Sequence, residues 1–159
     1  MFIHEADLFK GMSQEVIKEI DSIMIEESYE GGASLFKEGD PASNFYILGD
    51  GKVRLIIGKE GYMTHVVSNP GEAFGWSSLV EDGFYTASAK CSLPTKVLRI
   101  EKEELDKIFE RHPVSGLSFF KRMAGVIGKR LINSYRSLLA AQEGVGPSTY
   151  GISEEPDPK

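Results

Sequence analysis

The sequence predicts a mainly β domain, a sandwich or barrel of short strands with helices at both ends. Between about residues 28 and 100, β-rich runs such as NFYIL and KVRLIIG alternate with glycine-containing turns. About seven or eight strands at this spacing are typical of β-sandwiches and barrels. On both sides of this region, apolar residues recur every three or four positions, which is the period of an amphipathic helix.

The N-terminal helix is predicted in the stretch MSQEVIKEIDSIM. Ser13 suits its N-cap, because a serine hydroxyl accepts a hydrogen bond from an amide of the first turn. The apolar residues of the stretch fall on one face, which we expect to pack on the β core. They are Val16, Ile17, Ile20, Ile23 and Met24.

Four turn signals divide the strand region. Each contains glycine, which adopts positive φ without strain. The turns are Gly49-Asp50-Gly51, Lys59-Glu60-Gly61, Asn69-Pro70-Gly71 and Glu81-Asp82-Gly83.

Two helices are predicted after the strands. EKEELDKIFE has acids in its first turn and Leu105, Ile108 and Phe109 on one side. Pro113 interrupts the pattern, and one long helix follows at about residues 114–143. Residues 144–159 are rich in Gly, Pro, Ser and acids, so we expect them to be disordered. The predicted domain is therefore residues 1–143, with its barrel at about 28–100.

Composition excludes several classes of protein. The chain has 159 residues, a net charge of −6 and one cysteine, so an internal disulfide is excluded. No run approaches the ~20 apolar residues of a membrane span. The N-terminus, with His4, Glu5 and Asp7, lacks the features of a signal peptide. We expect a cytoplasmic protein that does not span a membrane. Because general nucleic-acid binding places Lys and Arg against phosphates, the negative net charge also argues against such binding.

The sequence shows no motif for catalysis or metal binding. His4, His65 and His112 lie far apart, and the chain contains no HExxH or CxxC motif. Cys91 falls in a predicted strand, where it is expected to act as a small buried apolar residue. Ser77 and Ser78 are not in a nucleophile elbow. The sequence therefore predicts a protein that is not an enzyme and that has no metal site or cofactor.

The order of helix, glycine-punctuated barrel, short helix and long helix resembles the cyclic nucleotide-binding domain, the sensor domain of catabolite-activator and FNR-type regulators. Four stretches within about residues 5–140 carry the resemblance: LFKGMSQEVIKEI, LFKEGDPASNFYILGDGKVRL, GEAFG and TASA. The resemblance implies a double-stranded β-helix, or jelly-roll barrel, with N-terminal helices and a long C-terminal helix. In it, GEAFG matches the entry to the family's phosphate-binding cassette, and TASA matches the strand that leaves it.

The cassette departs from the family pattern at its two ligand-binding positions. The resemblance implies a glutamate that accepts a hydrogen bond from the ribose 2′-hydroxyl and an arginine that pairs with the cyclic phosphate. Trp76 stands at the glutamate position, and Tyr85 stands at the arginine position, or Phe84 if the alignment shifts by one. The nearest cation is Lys90, past the cassette, and Arg99 lies further along the chain. We therefore expect a small-molecule-sensing or regulatory domain that does not bind cAMP or cGMP in the family's usual way.

Three alternatives remain open for the cassette. Its aromatic side chains fill the pocket and leave a ligand-free dimeric scaffold, or they line a pocket for an unknown uncharged or aromatic molecule. In the third, disfavoured alternative, amides and hydroxyls bind a cyclic nucleotide weakly. We expect any ligand to contact residues of the cassette, namely Gly71, Phe74, Gly75, Trp76, Ser77, Ser78, Phe84, Tyr85, Thr86 and Ala87.

The long helix is predicted to form a homodimer. A helix that is apolar over much of its circumference needs two surfaces to bury against, and a second copy is one of them. The alternative is a helix that only folds over its own barrel. In the resembling regulators a helix-turn-helix domain follows, and sixteen residues after position 143 are too few for one, so no DNA-binding domain is expected. The dimer stripe comprises Phe120, Ala124, Ile127, Leu131, Tyr135 and Leu138.

Overall fold

In the described part of the chain, eight antiparallel β-strands form two four-stranded sheets. The computed structural model describes residues 7–80 and 83–145, with side chains up to residue 143. The strands are β1 (Ile25–Tyr29), β2 (Ser34–Phe36), β3 (Asn44–Asp50), β4 (Val53–Ile57), β5 (Tyr62–Val67), β6 (Ala73–Phe74), β7 (Ser88–Cys91) and β8 (Thr95–Glu101). One sheet has the order β1-β8-β3-β6, and the other has the order β2-β7-β4-β5.

Helices flank the strands at both ends. A 3-10 helix at Asp7–Phe9 precedes α1 (Gln14–Ile23), and β8 leads into α2 (Lys102–Arg111) and α3 (Pro113–Val145). The chain divides into two compact units, Met1–Phe119 and Phe120–Lys159. Among the described helices, none combines the length and apolar character needed to cross a bilayer.

The barrel core follows from the alternation of side chains along the strands. In β4, Val53 and Leu55 are buried, whereas Arg54 between them is exposed. In β3, Tyr46 and Leu48 contribute to the interior. The buried interior comprises Phe36, Ala42, Tyr46, Leu48, Val53, Leu55, Val67, Phe74, Tyr85, Ala89, Cys91 and Val97.

A second apolar layer packs the helices against the sheet that contains β3. The ring of Phe119 lies 5.4 Å from Phe9, 5.9 Å from Phe45 and 5.1 Å from Phe109. Gly116 permits this approach, because a Cβ there would lie 3.0 Å from the Cβ of Phe109. Phe45 is therefore buried on the helical side of β3, while Tyr46 and Leu48 face the barrel.

The structure confirms the predicted mainly β fold with flanking helices. Ser13 is the N-cap of α1, and its Oγ accepts a 3.3 Å hydrogen bond from a first-turn amide. The strands extend from Ile25 to Glu101, slightly beyond the predicted 28–100. The last helix begins at Pro113, because proline fits the first helical turn, and continues to residue 145. The predicted disorder of residues 146–159 lies outside the described part of the chain.

Candidate ligand-binding site

The predicted cassette folds as a short strand, a turn and a 3-10 helix. After β6, Gly75 has a φ of 80° and precedes the 3-10 helix Trp76–Leu79. A Cβ at Gly75 would lie 3.1 Å from the carbonyl oxygen of Asn44 and 3.2 Å from the ring of Tyr46. Both the conformation and the available space therefore favour glycine at this turn.

Tyr85 points into the barrel from the position at which the family resemblance implies an arginine. Its side chain is buried, and its ring stacks on Phe36 with centroids 3.7 Å apart and planes 10° apart. Its hydroxyl donates a 2.7 Å hydrogen bond to the carbonyl of Asn44 and accepts a 3.2 Å bond from the Asn44 amide. The amide of Tyr85 also donates to the carbonyl of Asp40 at 2.9 Å, and its carbonyl accepts from the amide of Gly39 at 2.8 Å. Hydrogen bonds of its own backbone and of its side chain therefore hold Tyr85 in this position.

Four rings form an aromatic cluster inside the barrel: Phe36, Tyr46, Phe74 and Tyr85. Tyr46 stacks on Phe74 at 5.2 Å, and Phe36 lies 5.7 Å from Tyr46 and 6.4 Å from Phe74. Burial raises the pKa of both Tyr46 and Tyr85, so the two phenols remain neutral. The aromatic cluster therefore presents packed, uncharged groups.

Trp76 occupies the position at which the resemblance implies a glutamate. Its ring meets Phe45 edge-on, with centroids 5.6 Å apart and planes at 62°. Phe45 in turn contacts Phe119. The indole thus joins the apolar layer between the sheet and the helices, where a ribose-binding carboxylate would not be stabilised.

Three of the predicted site residues, Ser77, Phe84 and Thr86, lie at the surface and form a rim. The hydroxyls of Ser77 and Thr86 make an exposed contact at 3.3 Å, in which Thr86 is exposed and Ser77 is half-buried. Phe84, two positions before Thr86, has 56% of its surface exposed. This rim offers neutral hydrogen-bonding groups and one aromatic face.

The other predicted site residues are used within the fold. Ser78 is fully buried, and its hydroxyl donates a 2.8 Å hydrogen bond to the carbonyl of Gly75. Gly71 donates its amide to the carbonyl of Leu48 at 2.8 Å. Ala87 packs, partly buried, against the barrel core. The structure therefore brings the predicted residues together as one segment, in which Phe84 and Thr86 are the exposed members.

Arg99 is held by oxygen atoms of its neighbours. Its Nε donates to Glu27 at 2.6 Å, and its Nη1 donates to the Asn44 side chain at 3.0 Å and to Glu101 at 3.3 Å. The hydrogen bond to Glu27 raises the pKa of Arg99. From position 71 to position 89 the sequence contains neither lysine nor arginine, and Lys90 lies in β7. The cassette therefore contains no cation of its own.

Asn44 is a residue of this region that the sequence reasoning missed. Its backbone binds the hydroxyl of Tyr85, and its side chain binds Arg99. These partners are 41 and 55 positions away along the chain. No local pattern signals such contacts, because they depend on the antiparallel pairing of β3 with β8 and on the bridge between Pro41 and Phe84.

Comparison with known families gives a match over the same region. The family model of the cyclic nucleotide-binding domain matches residues 26–112, which is more than half of the chain. This chain belongs to the cyclic nucleotide-binding domain family. The matched range covers the barrel, the cassette and α2.

Relatives of this cyclic nucleotide-binding domain are regulators and parts of larger proteins. The cyclic AMP receptor protein of Thermus thermophilus is 29% identical over 126 residues, which cover 78% of this chain and 56% of that protein. A cGMP-dependent protein kinase of Caenorhabditis briggsae is 24% identical over 111 residues, which cover 67% of this chain and 15% of the kinase. The chain thus spans only part of the length of each. A crystal structure of a cyclic nucleotide-binding domain from Methylobacillus flagellatus shares the fold, with a TM-score of 0.75, 23% identity and coverage of 88% of this chain and 80% of that one.

The residues predicted to mediate dimerisation of this cyclic nucleotide-binding domain lie on α3. Phe120 is half-buried, and Ala124 is exposed. The remaining four side chains of the stripe are exposed, from 40% at Ile127 to 62% at Leu138. Large apolar side chains of the long helix are therefore accessible in the single chain.

Proposed function

We propose that this chain is a regulatory domain of the cyclic nucleotide-binding type that does not hold cAMP or cGMP through the family's glutamate and arginine contacts. The placement of Tyr85 carries the proposal. Its ring stacks on Phe36, and its hydroxyl already has a donor and an acceptor partner in the backbone of Asn44. A buried neutral phenol in this position supplies no charge to a phosphate.

A cyclic phosphate in this cassette would lack a paired cation. A hydrogen bond to a charged group contributes about 1.5–3 kcal/mol. Replacing two such contacts, at Trp76 and Tyr85, would weaken binding by about a hundredfold or more. Arg99 does not compensate, because Glu27 and Asn44 already bind its guanidinium.

The aromatic cluster favours a filled pocket. Its rings contact one another at centroid distances of 3.7–6.4 Å. In such a domain the regulatory output comes from contacts with another chain, since packed aromatic rings occupy the interior of the barrel. An interaction module of this kind is the function that the geometry supports best.

A small uncharged or aromatic ligand at the rim of the cassette is a second candidate. The observation that favours it is the exposed hydroxyl pair of Ser77 and Thr86, with exposed Phe84 nearby in the chain. Hydroxyls orient a polar group, and an exposed ring offers a stacking surface.

We also propose that the stripe on α3 forms the contact of a homodimer. Exposed apolar side chains on one helix suit an isologous contact, in which two copies present the same surface to each other. The cytoplasmic location, the lack of enzymatic activity and the lack of a DNA-binding domain stay predictions.

Thermal unfolding of the full chain with about 1 mM cAMP or cGMP tests the main proposal. A ligand at 100 times its Kd would add about 2.7 kcal/mol of stability. In a chain of this size that stability corresponds to a rise in Tm of about 5–10 °C. We expect no rise with either nucleotide, while the Thermus cyclic AMP receptor protein serves as the positive control. A clear rise would overturn the proposal.

A panel of uncharged and aromatic metabolites tests the second candidate in the same assay. Stabilisation that is lost in a Ser77→Ala/Thr86→Val double variant would support a ligand at the rim. Stabilisation that the double variant retains would place the ligand elsewhere.

A further inference from the structure

Three metal-ligating side chains converge where α1 meets the end of α2. The carboxylates of Glu15 and Glu19 and the imidazole of His112 each offer one ligand atom, and these atoms all lie within 4.8 Å of one another. Glu19 and His112 are 93 positions apart in the chain. In the part of the chain that the structure describes, this is the one group of three such ligands.

Hydrogen bonds already orient two of these ligands. His112 Nε2 lies 2.8 Å from Glu19 Oε1. Arg111 donates through Nη2 to the other carboxylate oxygen, Oε2. The hydrogen bonds from Arg111 and His112 lower the pKa of Glu19, so its carboxylate stays ionised. Arg111 is a second partner of the kind that commonly fixes a carboxylate that binds a metal. A metal ion would replace the hydrogen bond between His112 and Glu19, and its proton would be released to water.

The Glu15 side chain has no structural role in the fold. It is exposed, lies one helical turn before Glu19, and its carboxylate makes no hydrogen bond or ion pair with any residue that the structure describes. Like charges at this spacing on a helix repel each other. Arg111 compensates only one of the two carboxylates of the group, so a cation between them would relieve the repulsion.

Among the described residues, a second histidine–glutamate pair, His65 and Glu72, lacks the third ligand that the group of Glu15, Glu19 and His112 has. His65 Nε2 lies 2.7 Å from Glu72 Oε1, which is nearly the same distance as in the pair of His112 and Glu19. The other oxygen of Glu72 accepts from the amides of Ser68 and Asn69, both at 3.2 Å. No third ligand joins that pair among the described residues. It is therefore a structural hydrogen-bonded pair and a matched control.

We propose that Glu15, Glu19 and His112 form a binding site for a divalent transition-metal ion of the Zn²⁺ type. One imidazole and two carboxylates suit Zn²⁺, which accepts nitrogen and oxygen ligands and completes four-coordination with a water molecule. Mg²⁺ is disfavoured, because it rarely accepts imidazole and demands octahedral oxygen coordination. A bound metal ion would link α1 to His112, the residue directly before α3, and would stabilise the contact between α1 and the end of α2.

Isothermal titration of the EDTA-treated full chain with ZnCl₂ tests the site. We expect one ion per chain with Zn²⁺, no binding with MgCl₂, and a rise in Tm with Zn²⁺. Glu15→Gln should lower the Zn²⁺ affinity by at least about tenfold, as expected for the loss of a ligand. Because Glu15 is exposed and has no partner among the described residues, this variant should fold as the wild type does.

Two matched variants control for indirect effects. Glu103→Gln removes an exposed first-turn acid of α2, as Glu15→Gln does in α1, and should leave Zn²⁺ binding unchanged. His112→Asn should abolish binding, whereas His65→Asn should not. No Zn²⁺ binding by the wild type up to about 1 mM, a Kd weaker than most specific sites show, would overturn the proposal. Undiminished binding in Glu15→Gln, or loss of binding in His65→Asn, would overturn it as well.

Discussion

The hydroxyl of Tyr85 donates a 2.7 Å hydrogen bond to the carbonyl of Asn44 and accepts a 3.2 Å bond from the amide of the same residue. The two bonds tie the exit of the cassette to the first residue of β3. The cassette is thereby held to the barrel by a side chain at a position where the family resemblance implies a phosphate-binding group. Tyr85 therefore bears both on the stability of the fold and on whether the cassette binds a ligand.

Tyr85→Phe should destabilise the fold by about 1–3 kcal/mol, because both partly buried backbone groups of Asn44 lose a partner. The single tryptophan, Trp76, reports unfolding in urea by its fluorescence. Tyr62→Phe is the control, since the hydroxyl of Tyr62 bonds to the exposed carboxylate of Glu60 and not to the backbone of any described residue. The control should change stability by no more than about 0.5 kcal/mol. Equal effects of the two variants would contradict the structural role of Tyr85.

Gly51→Ala should be much more destabilising than Gly32→Ala. Both glycines have positive φ, 102° and 88°, so both alanines meet a backbone strain of about 1–2 kcal/mol. At Gly51 the added Cβ would also lie 2.6 Å from the carbonyl oxygen of Pro94 and 2.6 Å from Oγ1 of Thr95, whereas Gly32 has nothing within 4 Å. The resulting clash should add about 1–3 kcal/mol in chemical denaturation. Equal losses would show that the turn after β3 relaxes freely.

The contribution of Glu72 should depend on pH. Burial alone would raise the pKa of this carboxyl, but hydrogen bonds from His65 and from the amides of Asn69 and Ser68 outweigh it and lower the pKa below its ordinary value of 4.5. A group with a lowered pKa stabilises the fold above its unfolded pKa and loses that effect as pH falls through the folded pKa. The wild type should therefore be more stable than Glu72→Gln at pH 7, and the difference should shrink below about pH 4.5. Urea unfolding at pH 7, 5, 4 and 3 measures it, and a constant difference would contradict the assignment.

Ile127→Glu and Leu131→Glu should each weaken the proposed homodimer. Placing a charge in an apolar contact leaves it without a partner and costs several kcal/mol. Asn133→Glu adds the same charge to a polar position of the same helix and should leave association unchanged. Sedimentation equilibrium over a range of concentrations gives the dissociation constants. A dimer that persists in both stripe variants would assign the contact to another surface.

Much of the fold could be predicted from local patterns. The alternation of Val53, Arg54 and Leu55 defined a strand with one buried face, and Ser13 marked the start of α1. Gly75, the last residue of the GEAFG stretch, forms the turn that precedes the short helix Trp76–Leu79. These features succeed because each depends on the conformation of a few neighbouring residues.

The state of the cassette could be predicted only in part. The absence of a cation from positions 71–89 was readable directly from the chain. The sequence did not show whether the Tyr85 ring packs inside the barrel or borders an open pocket. The answer depends on the contacts of Tyr85 with Phe36 and Asn44, which strand pairing brings close to it. The role of Trp76 likewise required its contact with Phe45.

The sequence by itself determined the order of helices and strands, the family and the absence of lysine and arginine from positions 71–89. These properties are encoded by residue type and spacing along the chain. The tertiary structure alone decided that Tyr85 bonds to Asn44 and that Glu15, Glu19 and His112 meet. The physical reason is that hydrogen bonds and metal ligation act over a few ångströms in space. Folding brings together groups that are 41 and 93 positions apart in the sequence.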